Sequence, residues 1–108
     1  MAGRLSRGDV HLCRFATLDK EQPVVILTRD SAVRHLSTVT VAPISSTIRD
    51  VPSEVILDVD DGMKRRCAVN LHNAVTVSQE RLGRRVASLS PGRMHQVCAA
   101  LQFSLGCI

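Results

Sequence analysis

STVTVAPISSTI, from Ser37 to Ile48, is the stretch that decides the fold. Val39 and Val41 fall on one side of an extended chain, Thr38 and Thr40 on the other. That is the two-residue period of a half-buried strand, and β-branched residues suit its pleated surface. Pro43 has no amide hydrogen to give a neighbouring strand, so free pairing is expected to stop there. The hydroxyl cluster Ser45, Ser46 and Thr47 follows. A rigid strand end is where functional groups often stand. Taken alone, such a cluster reads as a turn whose Ser and Thr bond their own backbone.

Before this stretch, Arg7–Cys13 reads as a first strand, with Val10 and Leu12 on one face and Asp9 and His11 on the other. Arg14–Gln22 is polar and irregular, a loop. Pro23–Thr28, PVVILT, is an unbroken apolar run of the kind found in a strand buried on both faces. Arg29–His35 has room for a single helical turn or an irregular crossover.

After it, Ile48–Ser53 is a loop and Glu54–Leu57 a short strand. Asp58–Gly62, DVDDG, is a turn; it lacks the spacing and closing Glu of a calcium loop. Arg65–Val77 is the longest alternating segment, with Asn73 interrupting its apolar face, which predicts a bend or bulge, or a side chain reaching a site edge. Ser78–Gly83 is a turn and Arg84–Leu89 a last strand. Ser90–Gly106 is the clearest helix. Ser90 suits the cap, Pro91 the first helical position and Gly106 the stop. Met94, Val97, Cys98, Leu101 and Leu105 form its expected buried stripe. Short strands and one long C-terminal helix describe a β-rich α+β fold, a small and partly open barrel.

The chain has 108 residues, enough for one domain with one core. It has no apolar run long enough to cross a membrane, and MAGRLSRGDV has no apolar signal core, so a cytoplasmic protein is expected. Cys13, Cys67, Cys98 and Cys107 show neither CxxC spacing nor a His at metal-ligand spacing, so no metal site is expected. Charge is uneven: residues 1–61 carry seven Lys/Arg against nine Asp/Glu, residues 62–108 seven against one. A basic half attracts phosphate backbones or an acidic protein, although solvated arginines give the same count. Phe15 and Phe103 are the only aromatic residues. An RNA-binding version of this chain must therefore lean on arginines, backbone groups and polar side chains rather than on extensive stacking.

Five segments stand in a telling order: RGDV at Arg7–Val10, PVVILTRD at Pro23–Asp30, VAPISSTIR at Val41–Arg49, RLGRRVASLSP at Arg81–Pro91 and LQFSLG at Leu101–Gly106. Together they resemble the MazF/PemK toxins of bacterial toxin–antitoxin systems, over nearly the whole chain. The resemblance implies one MazF-like domain over residues 1–108, an SH3-like small barrel with a long C-terminal helix, and a homodimer with RNA in a groove at its interface. It implies an endoribonuclease that cuts single-stranded RNA, mRNA or a tRNA or rRNA loop, without a metal or other cofactor. The ends are a 2′,3′-cyclic phosphate and a 5′-hydroxyl, and a cognate antitoxin neutralises the enzyme.

Metal-free cleavage needs a group that takes the 2′-hydroxyl proton, one that protonates the leaving oxygen, and a cation or donor that steadies the phosphate. The family's Thr or Ser after the third strand is met by Ser45. Its arginine before the Pro of the second strand is not met, because Gln22 precedes Pro23. Glutamine is neutral and cannot replace that charge. Either Arg14 or Lys20 on the same loop takes over, or the protein binds RNA or antitoxin and cuts poorly. A second family arginine corresponds to Val75, before Thr76. The remaining expected RNA contacts are Ser46, Thr47, Arg49, His72, Asn73, Thr76, Arg84 and Arg85. Histidine titrates near neutrality, which keeps His72 and His11 open as proton shuttles, with an ordinary sheet role favoured for His11. A gyrase-directed toxin shares this barrel, and no residue specifically supports that alternative.

Overall fold

A computed structural model describes residues 4–15 and 20–107. The strands are β1 (Asp9–Arg14), β2 (Glu21–Ile26), β3 (Thr38–Ser45), β4 (Glu54–Leu57), β5 (Cys67–Asn70), β6 (Val75–Ser78) and β7 (Leu82–Ser88). The helices are α1 (Asp30–Val33) and α2 (Pro91–Leu105). The sheet runs β4-β5-β3-β2-β1-β7, with β6 also on β3. All its pairings are antiparallel. The architecture is α+β and β-rich, as the pattern of short strands and one long helix predicts.

Both sheet faces are buried. Val25, Ala42, Ile44, Val69 and Leu57 pack under α2 against Met94, Val97 and Ala100. Val24, Ile26, Val39, Val41 and Val77 form a second cluster with Leu5 and Val33. The alternation Val24, Val25, Ile26 between these clusters explains the unbroken apolar run: each face needs its own hydrophobic residues. Each such side chain contributes about 1.5–3 kcal/mol by leaving water. Asp9 and His11 share the burial of β1, at 3% and 2% exposure. Asp9 Oδ1 accepts from Ser88 Oγ at 2.7 Å, and His11 Nδ1 lies 3.0 Å from the Gly83 carbonyl. His11 is thus a sheet residue bonded to its neighbour strand.

Pro43 does not end its strand. Thr40 directs both its N–H and its carbonyl toward the β2 side, to Thr28 Oγ1 and Leu27 N. Residues two further on share that direction, so Pro43, in the opposite phase, aims its missing N–H at the β5–β6 side. There the ladder is open: pairing with β6 ends at Val41 opposite Val75, and pairing with β5 begins at Ile44 opposite Val69. Between them Leu71–Asn73 forms a 3₁₀ turn. The expected single segment Arg65–Val77 is therefore two strands, and the bend falls at Asn73 as its polarity predicts.

Gly8 of the RGDV segment has φ +93°. Its N–H donates to the Ile26 carbonyl at 2.8 Å and its carbonyl accepts from Leu89 N at 2.9 Å. A Cβ there would meet Met94 Sδ at 3.2 Å, so both the conformation and the space call for glycine.

α2 begins as expected: Ser90 Oγ accepts from Arg93 N at 3.1 Å, and Gly106 closes the helix at φ +71°. Its stripe is shorter than predicted. Leu105 is 66% exposed, Cys98 and Leu101 are half-buried, and Ala100 is buried instead. The last turn lies outside the apolar cluster that holds Met94 and Val97.

Arg93 ties this helix to the Asp58–Gly62 turn. Its Nε donates to Asp61 Oδ1 at 2.9 Å, while Asp58 and Asp61 cap each other's backbone. Burial alone would push the Asp61 carboxyl up; the Arg93 bond, the bonds from Asp58 and the guanidinium charge outweigh it and hold the carboxyl below its usual range. Replacing Arg93 with Ala is expected to cost about 1–3 kcal/mol, as for a hydrogen bond to a charged group, read by urea unfolding. Because the folded carboxyl is the stronger acid, this contribution is full above its unfolded value, about pH 4, and is lost as pH falls below that. An unchanged acid limb in Arg93→Ala would show that the pair contributes nothing.

Candidate active site

β3 carries Ser45 to the rim of the sheet, opposite Ala68 of β5. Its Oγ accepts from Thr47 N at 3.0 Å. This is the backbone-bonded turn that a hydroxyl cluster predicts, and it leaves the hydroxyl proton free to donate. On β2, Gln22 Nε2 donates to the Ile44 carbonyl at 3.2 Å, which holds its carboxamide next to Ser45. Glu54 Oε1 accepts from both Arg49 N and Asp50 N at 2.9 Å and fixes the loop that carries Arg49. Asp50 stands in the left-handed region there, at φ +58°.

These elements enclose a groove of about 420 Å³ lined by Gln22, Ser45, Arg49 and Asn73. Pro43, Val75, Phe15 and Asn70 complete it. Neither Phe15, noted in the sequence only as one of two aromatic residues, nor Asn70 was an expected site residue. Asn70 carries the one weak signal, a polar residue in a strand whose four positions are all buried.

Ser45 also borders a second groove, of about 480 Å³, with Ser46 and Arg84. Lys64 and Arg65 line it too, over an apolar floor that includes Leu12, Ile44 and Val86. Neither Lys64 nor Arg65 was picked out individually in the sequence; their membership in the basic half is the signal they gave.

The other expected site residues lie elsewhere. Arg14 and Lys20 are exposed and line neither groove among the described residues. The Arg14 carbonyl accepts from Arg81 at 3.3 Å. His72 Nδ1 lies 2.7 Å from Ser53 Oγ, and Thr76 Oγ1 lies 2.9 Å from Thr40 Oγ1. Thr47 gives its backbone N–H to Ser45. Arg85, 63% exposed, stands 3.8 Å from Asp9.

Among the described residues no cluster of His, Cys, Asp and Glu could hold a metal ion. The cysteines there are free thiols. Burial pushes the Cys13 and Cys67 thiols up, which makes them poorer nucleophiles. Among the described residues no helix is long and apolar enough to cross a membrane. Chemically, the groove beside Ser45 offers a hydroxyl donor, a guanidinium and neutral carboxamides.

The model of the family described as "PemK-like, MazF-like toxin of type II toxin-antitoxin system" matches residues 6–105. A curated relative, "Probable endoribonuclease MazF5" of Mycobacterium tuberculosis, is 40% identical over 103 residues, 94% of either chain. The solved "Mycobacterium tuberculosis toxin MazF-mt6" is 33% identical with a TM-score of 0.83, covering 91% of this chain and 96% of that one. A solved "Endoribonuclease in complex with its cognate antitoxin from Mycobacterial species" is 25% identical with a TM-score of 0.87, over 96% and 97%. With the sheet, the terminal helix and nearly the full length matched, the chain belongs to the PemK-like, MazF-like toxins of type II toxin–antitoxin systems.

Proposed function

We propose that this protein is a metal-independent endoribonuclease that cuts single-stranded RNA in the groove beside Ser45. The observation that carries the reading is Ser45 Oγ at the end of β3, which accepts from Thr47 N and so keeps its own hydrogen to donate, in a groove that Gln22 and Arg49 also line. The 2′-oxygen of the ribose attacks the adjacent phosphorus and the bond to the 5′-oxygen breaks. The products are a 2′,3′-cyclic phosphate and a 5′-hydroxyl. Ser45 gives a hydrogen bond to the leaving oxygen, which takes its proton from water so that Ser45 keeps its own, and Arg49 balances the negative charge on the phosphate. No strong base lines the groove among the described residues, so the 2′-hydroxyl proton passes to water. Only RNA has the attacking hydroxyl, so DNA is not cut.

The test is incubation of the purified protein with total RNA and EDTA, followed by mapping of 5′-hydroxyl ends. Metal-independent ends at a short motif are expected. The presence of Gln22 where the family places arginine favours a second reading, a protein that binds RNA or antitoxin and cuts poorly. Intact RNA with tight binding would select it.

The protein acts in the cytoplasm as the toxin of a pair, one domain over its whole length. Its antitoxin is an acidic segment that orders on binding and covers Ser45 and Asn73. The basic half of the chain and the relative solved with its cognate antitoxin support this. The working form is a homodimer, supported by the exposed apolar residues Phe103 and Leu105 at 54% and 66%. Sedimentation at micromolar concentration is expected to show a dimer; a persistent monomer would reject that assembly.

A further inference from the structure

Arg49 stands on an exposed loop, and the Glu54 carboxylate grips the backbone there. Glu54 Oε1 accepts from Arg49 N and Asp50 N, each at 2.9 Å. Glu54 N donates in turn to the Val51 carbonyl at 3.0 Å, which closes the turn that follows. Asp50 lies in the left-handed region at φ +58°, and a non-glycine residue persists there only where its surroundings fix it. Two successive N–H groups converging on one carboxylate oxygen are such a fixture. β4 gives Val55 and Leu57 to the core, so the apolar packing of the strand does not itself require a carboxylate at Glu54.

The second oxygen of that carboxylate, Oε2, is buried without a hydrogen-bond partner. Asn70 stands opposite Glu54 in the β4–β5 register, is 4% exposed, and its Oδ1 is also buried without a partner. Residues opposed in this way have Cβ atoms about 5 Å apart on one sheet face. Two unpaired acceptors so placed have both left water without return. A half-turn of the Asn70 carboxamide exchanges its oxygen for its NH2 and gives Glu54 Oε2 a donor. Contacts then run from β5 through Glu54 to the backbone of Arg49. We propose that Glu54 is a positioning residue for RNA cleavage: braced by Asn70, its carboxylate holds the Arg49–Asp50 backbone so that the Arg49 guanidinium meets the phosphate beside Ser45. The proposal deepens the endoribonuclease reading and rests on it.

The test combines single-turnover cleavage of one short RNA with amide hydrogen exchange, followed by NMR on the full chain. Glu54→Ala is expected to lower cleavage at least about tenfold, since misplacing a reacting group by about 1 Å can cost more than that. It should also speed exchange at the Arg49 and Asp50 amides. In the Arg49→Ala background the same change should cost less than about twofold, because a residue that acts through Arg49 has nothing left to position. Glu54→Gln keeps an acceptor oxygen for both amides and brings an NH2 toward Asn70. It should retain cleavage within about threefold, with both amides still slow. Asn70→Asp sets two carboxylates face to face and should free the loop. Adding Glu54→Gln should restore the slow exchange, because a donor again stands between the two residues.

Additive losses in Glu54→Ala and Arg49→Ala overturn the positioning role, as does a fall in thermal midpoint with cleavage unchanged. Slow exchange that survives Glu54→Ala overturns the grip on the loop. Failure of Glu54→Gln to rescue Asn70→Asp overturns the brace. Fast exchange in Glu54→Ala, with no RNA cleavage by the unaltered protein, would sink the nuclease reading and keep the grip. Cleavage indifferent to Glu54→Ala would do the reverse.

Discussion

Ser45→Ala is expected to lower RNA cleavage by at least about tenfold, the lower end of what one acid–base or oxyanion-type contact supplies. The change removes a hydroxyl at a strand end and leaves a methyl, so it opens no cavity in either core. It also removes the acceptor for Thr47 N. That bond belongs to a half-exposed turn, where water can replace it. Ser45→Thr separates the two roles: it restores the hydroxyl and should recover most of the activity. Single-turnover rates on one short RNA, with circular dichroism melts of each variant, provide the measurement. A cleavage rate unchanged in Ser45→Ala would remove Ser45 from the chemistry and leave the family relationship to describe the fold only.

How much of this was legible in the sequence depended on whether the cause was local. β4 matches the expected Glu54–Leu57, and the run from Pro23 is buried on both faces, because strand length and apolar content are local properties. The cap at Ser90 and the stop at Gly106 were equally legible, since each acts within one turn of helix. Pro43 was misread for a non-local reason. A proline ends pairing only where a partner needs its N–H, and here the partner strand has already turned away at Leu71–Asn73. Leu105 follows the helical period yet is exposed, because periodicity cannot say where the covering sheet stops. For the candidate site, the family resemblance put Ser45 and Gln22 together in prospect. Phe15, Asn70, Lys64 and Arg65 reach Ser45 only through long-range pairing, which no short window of sequence displays.

The family's missing arginine gives the second large effect. Sequence alone offered Arg14 and Lys20 as substitutes for the charge absent at Gln22. Both are exposed and outside the groove among the described residues, whereas Arg49 lines it beside Ser45. Arg49 enters from a different element, the loop after β3, with its backbone fixed by Glu54. A charge-stabilising donor supplied from there would serve the same phosphate. Arg49→Ala is therefore expected to lower cleavage by about a hundredfold, the scale for removing one such donor. Arg14→Ala and Lys20→Ala should change it by less than about threefold, as exposed charges acting only through screened attraction. Gln22→Arg then becomes a rescue experiment. In the otherwise unchanged protein it adds a second cation and breaks the bond to the Ile44 carbonyl, so only a modest gain or a shifted motif is expected. In the Arg49→Ala background it should restore at least about a tenth of the lost rate, because an arginine there can again meet the phosphate in a fork of donors. Severe loss in Arg14→Ala or Lys20→Ala, with Arg49→Ala near normal, would return the charge to the β1–β2 loop and exclude Arg49 from the site.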